Sequence, residues 1–271
     1  MVAASLCWSL GGLCIKFIPW GAMSIVGMRA LLAAIVFSLF RRSLKIKFTW
    51  GNVLAGACLA ATTILFVFAN QLTTAAAAIL LQFSAPIFII LIELVLYRKK
   101  PKFSEALAVS ITILGMLLFF AGNLGAGYLP GNLLAIASGL TFAGVFVFNK
   151  RPDADPTQSV MLGFLINVVA GVPFLLLDPL VGADPTAWGF AIALGVVQVG
   201  LAYVFFTLGI KGTPALLACL ITALEPVLNP VWVFLAQGET PGWFSIAGGA
   251  VIVLTVVGYN VWLERRRTNT G

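Results

Sequence analysis

The sequence lacks histidine altogether and is poor in charge: 16 Lys and Arg and 9 Asp and Glu make up 9% of its 271 residues. Without histidine, histidine-ligated metals, Ser-His-Asp hydrolysis and imidazole proton relays are excluded. The four cysteines lie in apolar runs and form no CxxC pair, which favours small core residues over disulfides or metal ligands. We therefore expect neither a metal nor a cofactor.

Apolar residues, in contrast, make up 61% of the chain, and the mean hydropathy is +1.07. A soluble domain usually carries about 25% charged residues, and a soluble core of this size could not bury so much apolar surface. The composition excludes a soluble globular domain, a disordered chain and a nucleic-acid binder. The net charge of +7 has to be interpreted from the positions of the basic residues.

Ten apolar runs are long enough for membrane helices, which need about 20 residues each. The runs are too long for strands, so helices are the expected spanning element. Turn sequences such as Ile18-Pro19-Trp20-Gly21 separate them. The break at 72–75 is tight, and a single bent segment across it is the alternative. The predicted spans are residues 2–19, 22–40, 51–72, 75–97, 104–121, 131–149, 159–177, 187–210, 213–236 and 243–263.

Basic residues follow alternate spans. Fourteen of the 16 Lys and Arg residues come after even-numbered spans, and the odd-numbered connections hold none apart from Lys16 at the end of the first span. Positive residues stay on the cytoplasmic side of a membrane. The pattern predicts that both termini are cytoplasmic and that the number of spans is even. We expect no cleaved signal peptide, because no basic segment precedes the first span.

A weak internal repeat divides the chain into halves. Residues 66–115 and 206–255 match at eight positions when shifted by 140, including Thr73 with Thr213 and Pro86 with Pro226. Because each half would hold five spans, which is an odd number, the second half would have the opposite orientation in the membrane to the first half, as in many secondary transporters. We therefore predict an all-α membrane protein of ten transmembrane helices in two inverted five-helix repeats, residues 1–125 and 126–271.

Three stretches resemble a known family: Thr73-Thr74-Ala75 through Gln82-Phe83-Ser84-Ala85-Pro86, Ala223-Leu224-Glu225-Pro226-Val227, and Gly238-Glu239 followed by Gly248-Gly249. With the five-plus-five arrangement, they resemble the EamA-like ten-helix branch of the drug/metabolite transporter superfamily over nearly the whole chain. The sequence departs from the family after the fourth span, where Arg98-Lys99 replaces a common Gly-Glu. The resemblance implies a secondary transporter of a bacterial inner membrane, commonly an exporter of amino acids or other small metabolites.

The rare charges inside the predicted spans are the main candidates for transport, because each costs at least about 2.5–3.5 kcal/mol in a bilayer. Glu225 lies roughly 18 Å into the ninth span, beside two prolines that interrupt the helix. Burial favours the neutral form of a carboxyl group, so Glu225 is the candidate for proton or cation binding. The alternative is a structural kink whose carboxyl group is capped by its neighbours.

Three other charged residues have more than one interpretation each. Arg29, roughly 10 Å into the second span, is a candidate for binding a substrate carboxylate, for neutralising Glu225, or for a purely structural ion pair. Lys16 and Glu93 lie near span ends, where a side chain either takes part in transport or snorkels toward the membrane surface.

Uncharged residues at similar depths complete the candidate site. The polar ones, which either contact the substrate or hydrogen-bond between helices, are Gln82, Asn167, Gln198 and Asn229. The aromatic ones, which either form cavity walls or pack against lipid and helices, are Trp8, Phe66, Tyr203 and Trp232.

The function predicted from the sequence is export of amino acids or similar small metabolites by alternating access, with possible proton coupling through Glu225. Alternatives are an exchanger of nucleotide-linked or phosphorylated metabolites, which has only Arg29 and Lys16 as cations, and a lipid flippase. An intramembrane enzyme is not expected, because the acids are scattered and histidine is absent. The expected partners are a small-molecule substrate and membrane lipids, with no nucleic acid; a monomer is plausible.

Overall fold

The computed structural model describes residues 1–42, 46–73, 75–121, 129–179, 181, 184–228 and 242–268, which form helices and turns and contain no strand. The helices of the first half are α1 (Val2–Trp8), α2 (Gly11–Lys16), α3 (Ala22–Arg41), α4 (Trp50–Leu72), α5 (Ala75–Gln82), α6 (Ala85–Tyr97) and α7 (Phe103–Phe120). Those of the second half are α8 (Leu129–Phe148), α9 (Pro156–Leu177), α10 (Pro185–Ala193), a π-helical stretch (Leu194–Leu201), α11 (Ala202–Ile210), α12 (Ala215–Thr222) and the C-terminal helix (Trp243–Thr268).

Seven helical runs within the described ranges are long and apolar enough to cross a membrane: Ala22–Arg41, Trp50–Leu72, Ala77–Tyr97, Leu129–Phe148, Pro156–Leu177, Pro185–Ile210 and Ile246–Leu263. The protein is therefore an all-helical integral membrane protein. Shorter helices occupy the other three predicted spans: α1 and α2 in the first, α7 in the fifth, and the run Ala215–Leu228 in the described part of the ninth.

Side-chain caps explain where several helices begin. The Thr49 hydroxyl accepts a hydrogen bond from the Asn52 N–H at the start of α4. Asp155 and Asp184 accept hydrogen bonds from backbone N–H groups at the starts of α9 and α10, and each is followed by a proline at the first helical position. Each cap satisfies one of the N–H groups that the first turn of a helix leaves without a partner.

Two helices end at positions that are 140 residues apart. α5 covers Ala75–Gln82 and α12 covers Ala215–Thr222, so both bounds are related by the shift that aligns the two halves of the sequence. In each case the helix restarts within two or three residues, and a proline lies next to the restart. Proline has no N–H to donate to the preceding turn, so it weakens the helix at this point.

Glycine contacts set two close helix crossings. α3 packs on α9 where Gly27 faces Gly171, and α7 packs on the C-terminal helix where Gly115 faces Gly248. At both crossings a methyl group on either glycine would meet backbone atoms of the partner helix. Small residues at such contacts let membrane helices approach closely enough for extensive van der Waals packing.

Basic residues from three connections meet at one end of the bundle. Lys99 and Lys102 follow α6, Lys150 follows α8, Lys211 follows α11, and all four line a common cleft. The C-terminal helix reaches this cleft, and Met1 contacts Gly209 near the end of α11. Both ends of the described chain therefore lie at the same end of the bundle as these lysines.

Candidate functional site

A small internal cavity of about 50 Å³ lies among the helices of both halves. Its polar lining residues are Arg29, Thr62, Thr63, Gln82, Gln198 and Glu225. Its aromatic lining residues are Trp8, Phe66, Phe142 and Tyr203. The cavity thus combines two opposite charges, several hydrogen-bonding groups and an aromatic wall inside an otherwise apolar helix bundle.

Arg29 is the best-defined element of this cavity. It lies on α3, is only 6% exposed, and donates a 3.1 Å hydrogen bond from Nη2 to Oε1 of Gln198. Gln198 in turn donates a 3.4 Å hydrogen bond to the carbonyl oxygen of Trp8 at the end of α1. Nε and Nη1 of Arg29 are buried without a hydrogen-bond partner among the described residues. Since a buried donor without a partner is costly, these two nitrogens are suited to donate hydrogen bonds to an incoming acceptor.

Glu225 supplies the opposite charge. It lies where the helix restarts after Ala223, directly before Pro226, and is partly exposed to the cavity. Arg29 and Glu225 interact electrostatically, but within the described part of the chain no direct ion pair joins them. The two charges are therefore near each other while both side chains still face the cavity.

Gln82 belongs to a hydrogen-bonded network on the opposite side of the cavity. At the end of α5, its Nε2 donates a 2.7 Å hydrogen bond to Oγ of Ser138 on α8, and Ser138 donates to the carbonyl oxygen of Thr62. The Thr62 hydroxyl lies 2.9 Å from that of Thr141. Gly139 leaves room for this arrangement, because a methyl group there would lie 2.7 Å from the Gln82 carbonyl oxygen. The network fixes the helix break beside the cavity.

The aromatic wall is built around Trp8. Its ring packs edge-on against Tyr203 at 5.2 Å and against Phe142 at 6.3 Å. Tyr203 also packs edge-on against Phe164 at 5.5 Å. Edge-to-face pairs of this kind are favourable contacts with a defined geometry, so the wall has a defined shape.

The position of Gln198 depends on an irregular helix. The π-helical stretch Leu194–Leu201 carries Gln198 toward Arg29, and π-helical turns occur frequently at functional sites. Gly11, at the start of α2, lies directly beside this side chain, and a methyl group there would be 2.6 Å from Gln198 Nε2. A glycine is needed at position 11 for Gln198 to keep this place.

The cavity gathers seven of the site residues proposed from the sequence: Trp8, Arg29, Phe66, Gln82, Gln198, Tyr203 and Glu225. Asn167 lies on α9, is 1% exposed and does not line the cavity; its Oδ1 has no hydrogen-bond partner among the described residues. Asn229 and Trp232 lie outside the described residues, and so does the side chain of Lys16. Glu93 forms a 2.5 Å ion pair with Lys99 away from the cavity.

The sequence interpretation missed Thr62, Thr63 and Phe142. Two consecutive threonines inside an apolar span were the available signal for the first two. Phe142 carried no such signal, because phenylalanine is common throughout the chain.

A membrane-embedded helix bundle with an internal cavity that is charged and aromatic is the arrangement of a small-molecule transporter. The chain belongs to the EamA-like transporter family, which it matches over residues 1–121 and 129–261. It is therefore a transporter of the drug/metabolite transporter superfamily.

Relatives agree with this assignment. An uncharacterized transporter from Archaeoglobus fulgidus is 29% identical over 71% of this chain and 69% of its own length. The pseudopaline exporter CntI of Pseudomonas aeruginosa is 25% identical over 66% of this chain and 64% of its own. The aromatic amino acid exporter YddG of Ancylobacter novellus is 29% identical over 54% of this chain and 53% of its own length. A crystal structure that is 20% identical superposes with a TM-score of 0.78 over 97% of this chain and 96% of its own, and so shares the fold.

Proposed function

We propose that this protein is a secondary active transporter that exports amino acids or similar small metabolites by alternating access. The observation that carries the proposal is the cavity in which Arg29, with two nitrogens that lack a hydrogen-bond partner among the described residues, and Glu225 face the same small space. Two relatives whose names describe exporters, one of aromatic amino acids and one of pseudopaline, support the direction and the class of cargo. The protein would act as a transporter and not as an enzyme.

The architecture proposed for this function is ten transmembrane helices in two inverted repeats, residues 1–125 and 126–271. Three observations support it. The bounds of α5 and α12 are related by a shift of 140 residues. α3 packs on α9, and α7 packs on the C-terminal helix, which pairs the second predicted span with the seventh and the fifth with the tenth. Each of these crossings joins a span to its counterpart in the other half, and each is made by two glycines.

The two charges suit a zwitterionic substrate. An α-carboxylate would accept hydrogen bonds from the free N–H groups of Arg29, in the charge-assisted geometry that guanidinium groups provide. An α-ammonium group would lie toward Glu225. The side chain of the substrate would then contact the wall formed by Trp8, Phe142 and Tyr203, where apolar and aromatic groups gain from burial.

The size of the cavity requires a conformational change. About 50 Å³ holds a few atoms, whereas sites for small-molecule ligands usually enclose about 300–1,000 Å³. The helices that bring the walls together would have to separate before a substrate could bind. Rocking of the two repeats about the cavity, which is the usual movement of inverted-repeat transporters, would open it to one side of the membrane at a time.

The proposed location is a bacterial inner membrane, with both termini in the cytoplasm. Both ends of the described chain lie at the end of the bundle that carries Lys99, Lys102, Lys150 and Lys211, and positively charged connections stay on the cytoplasmic side. The substrate would accordingly be taken up at this end and released at the other.

A ligand screen tests the substrate class. Purified protein is heated with individual amino acids, and a compound that binds only the folded state raises the melting temperature Tm by an amount that grows with the logarithm of the ratio of its concentration to its Kd. We expect stabilisation by at least one amino acid, and none by its methyl ester or decarboxylated amine, which lack the carboxylate. Counterflow of the stabilising compound in proteoliposomes then measures transport. Equal stabilisation by the ester and the acid, or stabilisation by phosphorylated metabolites alone, would refute the proposed substrate class.

A further inference from the structure

A second, larger cavity lies at the basic end of the bundle, apart from the transport site. This cleft of about 710 Å³ shares no lining residue with the central cavity. Lysines from three connections line it, namely Lys99, Lys102, Lys150 and Lys211, together with two carboxylates, Glu93 and Glu105. These lysines outnumber the lining carboxylates two to one. Asp155, which does not line the cleft, lies 3.7 Å from Lys211, so the group as a whole keeps a net positive charge.

Local contacts occupy both carboxylates. Glu93 forms the ion pair with Lys99, and Oε2 of Glu105 accepts a 2.9 Å hydrogen bond from the Lys102 N–H at the start of α7. Lys150 donates hydrogen bonds to the carbonyl oxygens of Ile210 and Lys211, which holds its ammonium group at the edge of the cleft. Partial burial lowers the pKa of Lys150 from its ordinary value, as expected for a cation that is partly removed from water.

An apolar groove continues from this cleft along the outside of the bundle. The groove has a volume of about 410 Å³ and runs between α7, which contributes Leu107 and Ile111, and the C-terminal helix, which contributes Leu254 and Gly258. Leu107 is 46% exposed and Leu254 is 70% exposed, so both face away from the protein interior. In a membrane-spanning bundle such a surface meets the hydrocarbon tails of lipids.

Tyr259 and Trp262 join the two cavities, because both residues line the cleft and the groove. Their rings stack with centroids 5.9 Å apart. Tyrosine and tryptophan are enriched at the level of lipid headgroups, where one side of the ring is apolar and the other is wet. The boundary between the charged cleft and the apolar groove thus has the side chains expected at a membrane interface.

We propose that the cleft and the groove together form a binding site for one anionic phospholipid. Its phosphate-containing headgroup occupies the lysine cleft beside Lys102, Lys150 and Lys211, and one acyl chain lies in the groove between α7 and the C-terminal helix. Basic pockets between membrane helices bind anionic headgroups in this way. The site does not depend on the identity of the transported substrate.

The groove distinguishes a lipid from a soluble anion. A free phosphate or a phosphorylated metabolite would use the lysines alone and would leave the groove empty. Gly258 allows the two to be separated, because a side chain at this position would meet nothing within 4 Å and would project into open space along the groove. A phenylalanine at position 258 would therefore compete with an acyl chain without disturbing the packing of the helices.

The test measures lipid-dependent stabilisation of the purified full-length protein. Tm is recorded in detergent during titration with phosphatidylglycerol, phosphatidylcholine, inorganic phosphate or glycerol phosphate. We expect phosphatidylglycerol alone to raise Tm. The Lys102→Gln/Lys211→Gln double variant should need roughly 25-fold more phosphatidylglycerol, since each lysine near a lipid surface contributes roughly a fivefold factor in affinity. Gly258→Phe should weaken the response in the same way while all four lysines remain.

Gly189→Phe is the matched control, because Gly189 lies on the distant helix α10 and also has nothing within 4 Å of an added Cβ. It should respond to phosphatidylglycerol like the unmodified protein. The proposal is overturned if phosphatidylcholine stabilises equally, if inorganic phosphate reproduces the effect, or if Gly258→Phe and Gly189→Phe behave alike. Should one variant not yield folded protein, the other and the phosphate titration of the unmodified protein still decide the question.

Discussion

Arg29 on α3 donates a 3.1 Å hydrogen bond to Gln198, which lies 169 residues further along the chain on a π-helical stretch. The bond joins the two halves of the protein at the cavity and uses only one of the nitrogens of the guanidinium group. Nε and Nη1 remain without a partner among the described residues. Gln198 therefore orients Arg29 and leaves its other donors available.

Replacement of Arg29 tests whether those donors bind the substrate. Arg29→Gln should abolish the Tm shift produced by the stabilising amino acid, because no charged donor remains for the carboxylate. The Arg29→Lys variant should bind the amino acid weakly, since an ammonium group keeps the charge but lacks the planar arrangement of N–H donors of the guanidinium group. The measurement is ligand-dependent Tm, with Glu93→Gln as a control outside the cavity. An Arg29→Gln protein with undiminished ligand response would show that Arg29 is only structural.

Gly11→Ala tests the positioning of Gln198. The added methyl group would lie 2.6 Å from Gln198 Nε2, and a flexible side chain can yield to it at a small cost in stability. The displaced amide would no longer hold Arg29. We therefore expect substrate affinity to fall several-fold, while Tm without ligand changes little. Gly189→Ala, which meets nothing within 4 Å, should change neither quantity. A large loss of Tm in Gly11→Ala with normal affinity would contradict this role.

The sequence was sufficient to predict Arg29 and Glu225, because a charge inside an apolar span carries an energetic cost that function or pairing has to compensate. It could not separate Gln198 from Asn167, which are equally polar and similarly deep in their predicted spans. The spans are apolar on nearly all sides, so the residue pattern does not reveal which face of a helix points inward. The π-helical stretch moreover rotates Gln198 relative to a regular helix, and no residue in Leu194–Leu201 signals it.

The ten predicted spans illustrate a second limit. Hydropathy registers the mean polarity of about 20 residues and cannot detect short interruptions. The first predicted span is therefore divided into α1 and α2, and the fourth into α5 and α6. The repeat indicated by the shift of 140 remains a prediction, although the matching bounds of α5 and α12 support it. The breaks after α5 and α12 were foreseeable only from Pro86 and Pro226.

The crossing of α3 and α9 predicts a large effect on stability. A methyl group at Gly27 would lie 2.7 Å from the backbone N of Val172 and would also meet the backbone of Gly171. Because backbone atoms cannot rotate away, Gly27→Ala forces the helices apart, at a cost on the order of 1–3 kcal/mol. We expect Tm to fall by several degrees in this variant and in Gly171→Ala. Unchanged Tm in both, with Gly189→Ala as the reference, would show that the helices do not cross this closely.

The connection between α8 and α9 predicts a dependence of stability on pH. The carboxyl group of Asp153 accepts hydrogen bonds from the Gly51 N–H and from the Arg151 side chain. Both hydrogen bonds lower the pKa of this carboxyl group, and the one from Gly51 has the larger effect. A lowered pKa in the folded state contributes stability that is present above the ordinary value of about 4 and is lost as the pH falls below it. Asp153→Asn should therefore lower Tm at pH 7, and the difference from the unmodified protein should shrink toward pH 3. A difference that stays constant over this range would exclude the carboxylate as its cause.

Glu225→Gln tests proton coupling. With no histidine in the chain, a carboxyl group is the remaining side chain suited to taking up and releasing a proton near neutral pH, and Glu225 is the carboxylate that lines the cavity with Arg29. Glutamine keeps the size and the hydrogen-bonding capacity of the side chain but cannot titrate. In proteoliposomes we expect this variant to lose transport driven by a pH gradient and to retain counterflow of labelled against unlabelled substrate, because exchange requires no net proton movement.

Glu93→Gln, which removes a carboxylate paired with Lys99 outside the cavity, should keep both activities. Undiminished gradient-driven flux in Glu225→Gln would assign coupling to another group or another ion, and loss of both activities would show that binding of the substrate ammonium group requires the charge of Glu225, which the hydrogen-bonding capacity of glutamine does not replace.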